Sequence, residues 1–72
     1  MHRFFAGDES FSRDSIFLTG TDASHICTVL RLQTGDKIQV LDGKGSLYVV
    51  QLEDVKAKLV KGEIISSEKV NS

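Results

Sequence analysis

The sequence predicts a small, mainly β domain: a barrel of about five or six short strands with one short α-helix over residues 22–31. Two patterns lead to this fold class. Several short runs alternate apolar and polar residues, as half-buried strands do, and one segment alone has apolar residues at helical spacing. A chain of 72 residues has room for one domain, residues 1–72. Short strands close most easily into a barrel, because closure removes exposed sheet edges.

The first quarter of the chain contains two short apolar runs. Arg3–Ala6 and Ser15–Leu18 are predicted strands. The segment between them, Gly7–Asp14, is polar and small, so a loop is predicted there, with Phe11 as its one anchor.

The segment after Gly20 has the pattern of a helix. Thr21 is the predicted N-cap, and Asp22 places a carboxylate in the first turn, where the helix dipole favours it. Four apolar residues fall within roughly 120° of one another and are expected to face the core. These are Ala23, Ile26, Val29 and Leu30. The helix should end before Gly35, which suits a positive φ.

Two-residue periodicity begins at Lys37 and continues to the end of the domain. The predicted elements are a strand around Ile38 and Val40, a hairpin turn at Asp42–Gly45, a strand over Leu47–Val55, a break at Lys56–Lys58 and a strand over Leu59–Ile65. The Leu47–Val55 strand has apolar residues on both faces. We expect Leu47 and Val49 to contact a part of the molecule outside the barrel.

Composition excludes several classes of protein. Nine Lys and Arg against ten Asp and Glu give a net charge of −1, which argues against a polycation that coats nucleic acid but not against a local basic face. The single cysteine, Cys27, permits no intrachain disulfide and, with two histidines, forms no zinc site by spacing. No apolar run approaches the roughly 18 residues that span a bilayer. The N-terminus turns acidic too soon for a signal peptide, so a cytoplasmic protein is expected.

Two residues of the predicted helix have both a structural and a functional interpretation. His25 lies at the margin of the apolar face, where a half-buried histidine often satisfies a neighbouring carbonyl. Arg31, at the C-terminal end, would complement the helix dipole. Alternatively, its guanidinium would hold a phosphate with two hydrogen bonds.

Two further basic residues are open to both interpretations. Arg3 precedes two phenylalanines, and a basic residue beside aromatic ones is a weak signal of nucleic-acid binding. Lys44 lies between two glycines at a hairpin tip that lacks the spacing of a phosphate-binding loop. No serine, cysteine or carboxylate pair forms a catalytic set. The residues alone therefore favour a binding domain over an enzyme.

The order of these features resembles the N-terminal domain of the RsmE family. Its members are bacterial methyltransferases that modify N3 of a uridine in small-subunit (16S) ribosomal RNA. The similarity spans about residues 1–65. It rests on Arg3-Phe4-Phe5, Leu18-Thr19-Gly20, His25-Ile26, Val29-Leu30-Arg31-Leu32, Gly35-Asp36, Asp42-Gly43-Lys44-Gly45 and Tyr48.

The resemblance implies a PUA-like β-barrel that helps to bind RNA. It makes Arg3, His25 and Arg31 candidate RNA contacts, with Lys44 a weaker one, and it assigns no catalytic, cofactor-binding or metal-binding residue to this chain. Members of the family continue into a knotted SPOUT domain that binds S-adenosylmethionine, carries the catalytic residues and forms the homodimer. That domain is expected in a longer parent protein. The 72 residues alone are expected to be inactive.

The predicted function is therefore to position ribosomal RNA for the methyltransferase domain of the same parent chain. One alternative is a packing domain for the methyltransferase domain with little RNA contact of its own. Another is a free-standing small barrel that binds a protein partner.

Overall fold

The computed structural model describes residues 1–70 as one sheet of six strands with one short helix. The strands are β1 (Arg3–Phe5), β2 (Phe11–Ser12), β3 (Ser15–Thr19), β4 (Lys37–Leu41), β5 (Ser46–Val55) and β6 (Leu59–Lys69). A 3₁₀ turn over Asp8–Ser10 precedes β2. Helix α1 (Gly20–Ser24) continues without interruption into a π-helical turn over His25–Val29.

The sheet has the strand order β1-β4-β5-β6-β3-β2, with β1 parallel to β4 and the other pairs antiparallel. Two strands, β6 and β3, separate β2 from β5 in this order. Yet the rings of Phe11 on β2 and Tyr48 on β5 lie 5.0 Å apart between centroids. Such a contact requires a strongly curled sheet. The predicted mainly β, barrel-like fold is confirmed, in the form of a curled half-barrel.

The curl is built into the two longest strands. The pairing of β5 with β6 shifts register between Val49 and Val50 and again between Leu52 and Asp54, and such bulges bend a strand and increase its twist. Gly62 of β6 is buried between these two shifts. A Cβ atom at this position would overlap the Val50 side chain and lie 3.2 Å from the Gln51 carbonyl oxygen. The close approach of the two strands therefore depends on glycine.

The concave side of the sheet and the helix enclose one core. Its buried members are Phe4, Ile16, Leu18, Ala23, Ile26, Ile38, Val40, Val50, Leu52 and Val60. The helix follows β3 directly, and its His25 contacts Phe4 of β1, so it links the two sides of the curled sheet. Leu47, predicted to face away from this core, is buried but is not part of it.

The helix differs from the prediction in its bounds and in one core residue. It begins at Gly20, with Thr19 rather than Thr21 at the N-cap, and its last turn ends at Val29. The Leu30 N–H donates to the His25 carbonyl at 2.8 Å, the i→i+5 bond of a π turn. A π turn holds more residues than an α turn, so each residue advances the side chain by a smaller angle. Val29 consequently lies on the surface, 65% exposed, and its predicted place in the core is wrong.

Other boundaries differ in smaller ways. The predicted loop over Gly7–Asp14 contains the 3₁₀ turn and β2, and the last strand extends to Lys69 rather than Ile65. Among residues 1–70, no helix combines the length and the apolar character that crossing a membrane would require.

Candidate nucleic-acid interface

Arg3 lies on β1, an end strand of the sheet. Its side chain is exposed, on the face of the strand opposite to the buried Phe4. The Nε and Nη2 atoms each lie 3.3 Å from Oε1 of Gln39, the residue paired with Arg3 on β4. These two long bonds orient the guanidinium along the outer surface and leave its remaining N–H groups facing solvent.

His25 lies where the α-helix passes into the π turn. Its ring meets Phe4 edge-on, with centroids 6.1 Å apart and planes at 75°. The side chain is exposed and has no hydrogen-bond partner among residues 1–70. Phe4 thus packs against an imidazole whose polar atoms face solvent. The structural interpretation, in which His25 donates a hydrogen bond to a neighbouring carbonyl, does not describe this arrangement.

Arg31 follows the π turn in a left-handed conformation, with φ of +53°. This conformation costs a non-glycine residue roughly 1–2 kcal/mol. It reverses the chain, so that the Leu32 N–H donates to the Ile26 carbonyl at 3.0 Å and Leu32 packs against the core. The Arg31 side chain is exposed, and no carboxylate of residues 1–70 pairs with it.

Lys44 has a carboxylate partner. Its Nζ lies 2.6 and 2.9 Å from the two carboxylate oxygens of Asp8, and this hydrogen bond raises the pKa of the lysine. The hairpin turn around it is organised by Asp42, whose Oδ1 accepts the backbone N–H groups of Lys44 at 2.7 Å and Ser46 at 3.2 Å. These bonds, the one from Lys44 first, lower the pKa of Asp42. The ion pair offsets the Lys44 charge.

Three of the four candidate RNA contacts follow the edge formed by β1. Arg3 is at its start, His25 beside Phe4 in its middle, and Lys44 beside Asp8 just after its end. Arg3 and Asp8 are five positions apart, so their Cα atoms are at most about 18 Å from each other. Arg31 lies six residues after His25 and has no measured contact with the other three.

A shallow recess of about 360 Å³ on the exposed side of the helix was missed by the sequence analysis. It is lined by Gly20, Thr21, Ser24, His25 and Val29. It was missed because Val29 was assigned to the core. The sequence signal that could have indicated the recess is a pair of small residues, Gly20 and Ser24, one helical turn apart.

A second depression, of about 290 Å³, lies between the Thr34–Gly35 turn and strands β5 and β6. Its lining is Thr34, Gly35, Gln51, Leu52, Glu53 and Glu63. Two carboxylates among these residues make it a poor site for a phosphate backbone. Residues 1–70 contain no group of three side chains placed to hold a metal ion.

Comparison with solved structures finds the same fold in proteins that are much longer. A predicted RNA methyltransferase from Thermotoga maritima is 26% identical over the whole chain, with a TM-score of 0.85. A "probable rRNA-methyltransferase" from Porphyromonas gingivalis is 29% identical (TM-score 0.82), also over the whole chain. The ribosomal RNA small subunit methyltransferase E of Neisseria gonorrhoeae, bound to S-adenosyl methionine, is 25% identical over the whole chain (TM-score 0.81). The chain spans 32%, 29% and 30% of their respective lengths.

Comparison of the sequence with protein families gives one assignment. No curated protein matches the sequence. The family model described as "RNA methyltransferase PUA domain" matches residues 18–65, more than half of the chain. The match includes the helix, the π turn, Arg31 and the β4–β5 hairpin, and it confirms the predicted resemblance. The chain belongs to the family of RNA methyltransferase PUA domains, with RsmE-like ribosomal RNA methyltransferases as its structural neighbours.

Proposed function

We propose that this chain is the RNA-binding domain of an S-adenosylmethionine-dependent 16S ribosomal RNA (uracil-N3)-methyltransferase. Its role is to position small-subunit ribosomal RNA for a catalytic domain of the same parent chain. The activity and the cofactor belong to the parent, as does the homodimer. The first two are supported by the names of the structural neighbours, two of which hold S-adenosylmethionine. No residue of this chain is assigned to the cofactor.

The conformation of Arg31 carries the proposal. A glycine at this position would end the helix without strain, yet the chain has an arginine there, exposed and without an ion-pair partner in residues 1–70. Arg13 has the same conformation and exposure, but it lies outside residues 18–65, which match the RNA methyltransferase PUA domain, whereas Arg31 lies within them. A planar guanidinium that extends into solvent suits a phosphate, which it binds with two parallel hydrogen bonds. Strained backbone conformations cluster at functional sites.

The four candidate contacts differ in the part of the RNA that each would bind and in the strength of the contact. Arg3 and Arg31 hold phosphates, which fixes the position of the RNA strand on the domain. His25 stacks on a base or forms a hydrogen bond to it. Lys44 contributes less than the arginines, because its charge is already paired with Asp8.

A salt titration of RNA binding tests the proposal. The probe is a single-stranded fragment of small-subunit ribosomal RNA, titrated with the 72-residue chain at several salt concentrations. Two phosphate contacts by the arginines, with a weaker third by Lys44, predict that log K falls with log salt with a slope between about −1.4 and −2 for a single strand. Arg31→Glu should abolish the binding.

Arg13→Glu is the matched control. Arg13 is exposed, has a φ of +54° and lies in the turn between β2 and β3, at the other end of the sheet order. Both substitutions change the net charge by the same amount, and both replace an arginine whose φ is positive. If Arg13→Glu weakens binding as much as Arg31→Glu, the attraction is not local and the proposed contact is wrong. If the wild-type chain does not bind at low salt, the domain alone does not recognise RNA.

A second function, packing against the rest of the parent, is favoured by the outer face of the sheet. Phe5 is 69% exposed there, and its neighbours in the register, Leu41 and then Leu47, are also apolar. The occupant would be the part of the parent that corresponds to the remaining two thirds of the neighbours' chains. Phe5→Ser should leave the fold intact and weaken association with the methyltransferase portion of the Porphyromonas gingivalis protein. Unchanged association would exclude this packing surface.

A further inference from the structure

The recess on the helix has two kinds of surface. One part is apolar and aromatic: Val29, 65% exposed, and the His25 ring, which Phe4 supports from behind. The other part is small and polar, with the hydroxyls of Thr21 and Ser24 beside Gly20. Neither hydroxyl has a hydrogen-bond partner among residues 1–70.

We propose that this recess binds the base and ribose of one unstacked ribonucleotide, and that Ser24 and Thr21 hydrogen-bond to its 2′-hydroxyl. The inference rests on the proposed function and deepens it, because it names the part of the RNA that this site recognises. Phosphates are bound outside the recess, by the arginines.

The size and charge of the recess suit the uncharged part of a nucleotide. The recess is shallow and is lined by one helical segment, so it would contact one face of a base and one edge of a ribose rather than enclose a ligand. No carboxylate, lysine or arginine lines it. Arg31 lies two residues after Val29, so a phosphate attached to the bound nucleoside would have a guanidinium nearby in the chain.

The apolar part provides a surface for the base. Every base has a flat π face that packs on aromatic or apolar side chains. The His25 ring is pre-oriented by its edge-on contact with Phe4, which reduces the entropy lost when a base stacks on it. Val29 is exposed because of the π turn, and π turns are frequent at functional sites.

The polar part provides groups that distinguish RNA from DNA. A serine or threonine hydroxyl both donates and accepts a hydrogen bond, as a ribose 2′-hydroxyl does. Gly20 keeps this end of the recess open, since no side chain projects from it. Its φ of +58° also disfavours other residues.

The test compares two probes, an eight-residue oligouridylate and the oligodeoxyuridylate of equal length. Their affinities for the 72-residue chain are measured by fluorescence anisotropy at low salt, and the Val29 methyl and His25 ring signals are followed by NMR. We expect oligouridylate to bind about three- to ten-fold more tightly, the effect of one net hydrogen bond. The Val29 and His25 signals should shift in the complex.

Ser24→Ala should remove most of the preference for RNA while leaving binding of the DNA probe unchanged. Thr28→Ala is the matched control, because Thr28 carries an exposed hydroxyl on the same helical segment but does not line the recess. Ser24 is exposed and alanine has the higher helix propensity, so the variant should fold.

The outcomes separate this inference from the proposed function. Equal affinity for the two probes, with Arg31→Glu still abolishing binding, would overturn the inference and leave the proposed function standing. A loss of RNA preference in Thr28→Ala equal to that in Ser24→Ala would also overturn it. Failure of oligouridylate to bind, when the ribosomal RNA fragment does bind, would exclude the recess as a nucleotide site. Failure of all three would contradict both proposals.

Discussion

Arg31 and Arg13 are the two non-glycine residues with positive φ in residues 1–70, and they form a natural pair for comparison. Each ends an element where glycine would be less strained, and each side chain is exposed. They differ in position: Arg31 follows the π turn, whereas Arg13 lies between β2 and β3. Any difference between their variants therefore reports on location rather than on charge or backbone conformation.

Replacing either arginine with glycine should raise the free energy of unfolding, by up to about 1 kcal/mol, because glycine adopts the left-handed conformation without strain. Arg31→Gly should nevertheless lose RNA affinity, whereas Arg13→Gly should retain it. Urea unfolding and anisotropy measured on the same preparations would check both effects. A more stable Arg31→Gly that binds RNA like the wild type would show that Arg31 does not contact the RNA.

The strands could be predicted because a strand that is buried on one face alternates apolar and polar residues. That alternation is visible within a short stretch of sequence. The π turn was not predictable in this way, since Ala23, Ile26 and Leu30 fit an α-helix as well as they fit the observed segment. The ion pair of Lys44 with Asp8 joins residues 36 positions apart, and no local pattern indicates it. The sequence therefore indicated four candidate residues, but it did not indicate that one of them, Lys44, forms an ion pair with Asp8.

The β4–β5 hairpin should loosen at both extremes of pH. The pKa of Asp42 is lowered, chiefly by the Lys44 N–H, so the stability it contributes is present above about pH 4 and is lost as the pH falls. The pKa of Lys44 is raised by Asp8, so that contribution is lost as the pH rises beyond about 10.5. NMR shifts of the Gly43 and Gly45 amides would follow both transitions. Asp42→Asn should remove the acid transition alone, and an unchanged acid transition in that variant would assign it elsewhere.

The close approach of β5 and β6 makes Gly62 sensitive to the smallest enlargement. Gly62→Ala should lower the free energy of unfolding by about 1–3 kcal/mol, because the new methyl group overlaps the Val50 side chain in a packed core. Ser66→Ala on the same strand is the control, since Ser66 is exposed and its change should stay within about 0.5 kcal/mol. Equal urea midpoints for the two variants would mean that β5 and β6 can move apart at Gly62 without loss of stability.

At the scale of the whole molecule, the curl of the sheet determines which surfaces are available. The sequence indicates a barrel because short strands need closure, but it does not reveal that β1 pairs in parallel with β4 or that β2 has only two residues. β1, at one end of the strand order, contacts the helix through Phe4 and His25. The proposed binding of RNA would depend on a few local side chains, since the net charge of −1 supplies no general attraction.

The contact between Phe11 and Tyr48 holds one end of the curled sheet against its centre. Phe11→Ala should lower the free energy of unfolding by about 2 kcal/mol, less than the roughly 3–5 kcal/mol of a fully buried phenylalanine, because Phe11 is only half-buried. Phe5→Ala, at an exposed position, should change it by no more than about 0.5 kcal/mol. Hydrogen exchange in β2 and β3 should increase in Phe11→Ala, while RNA affinity should persist, because the side-chain contacts of Arg3 and His25 are with Gln39 and Phe4 and not with Phe11. If Phe11→Ala instead abolished RNA binding in a folded protein, recognition would depend on the curl of the entire sheet and not on the β1 edge alone.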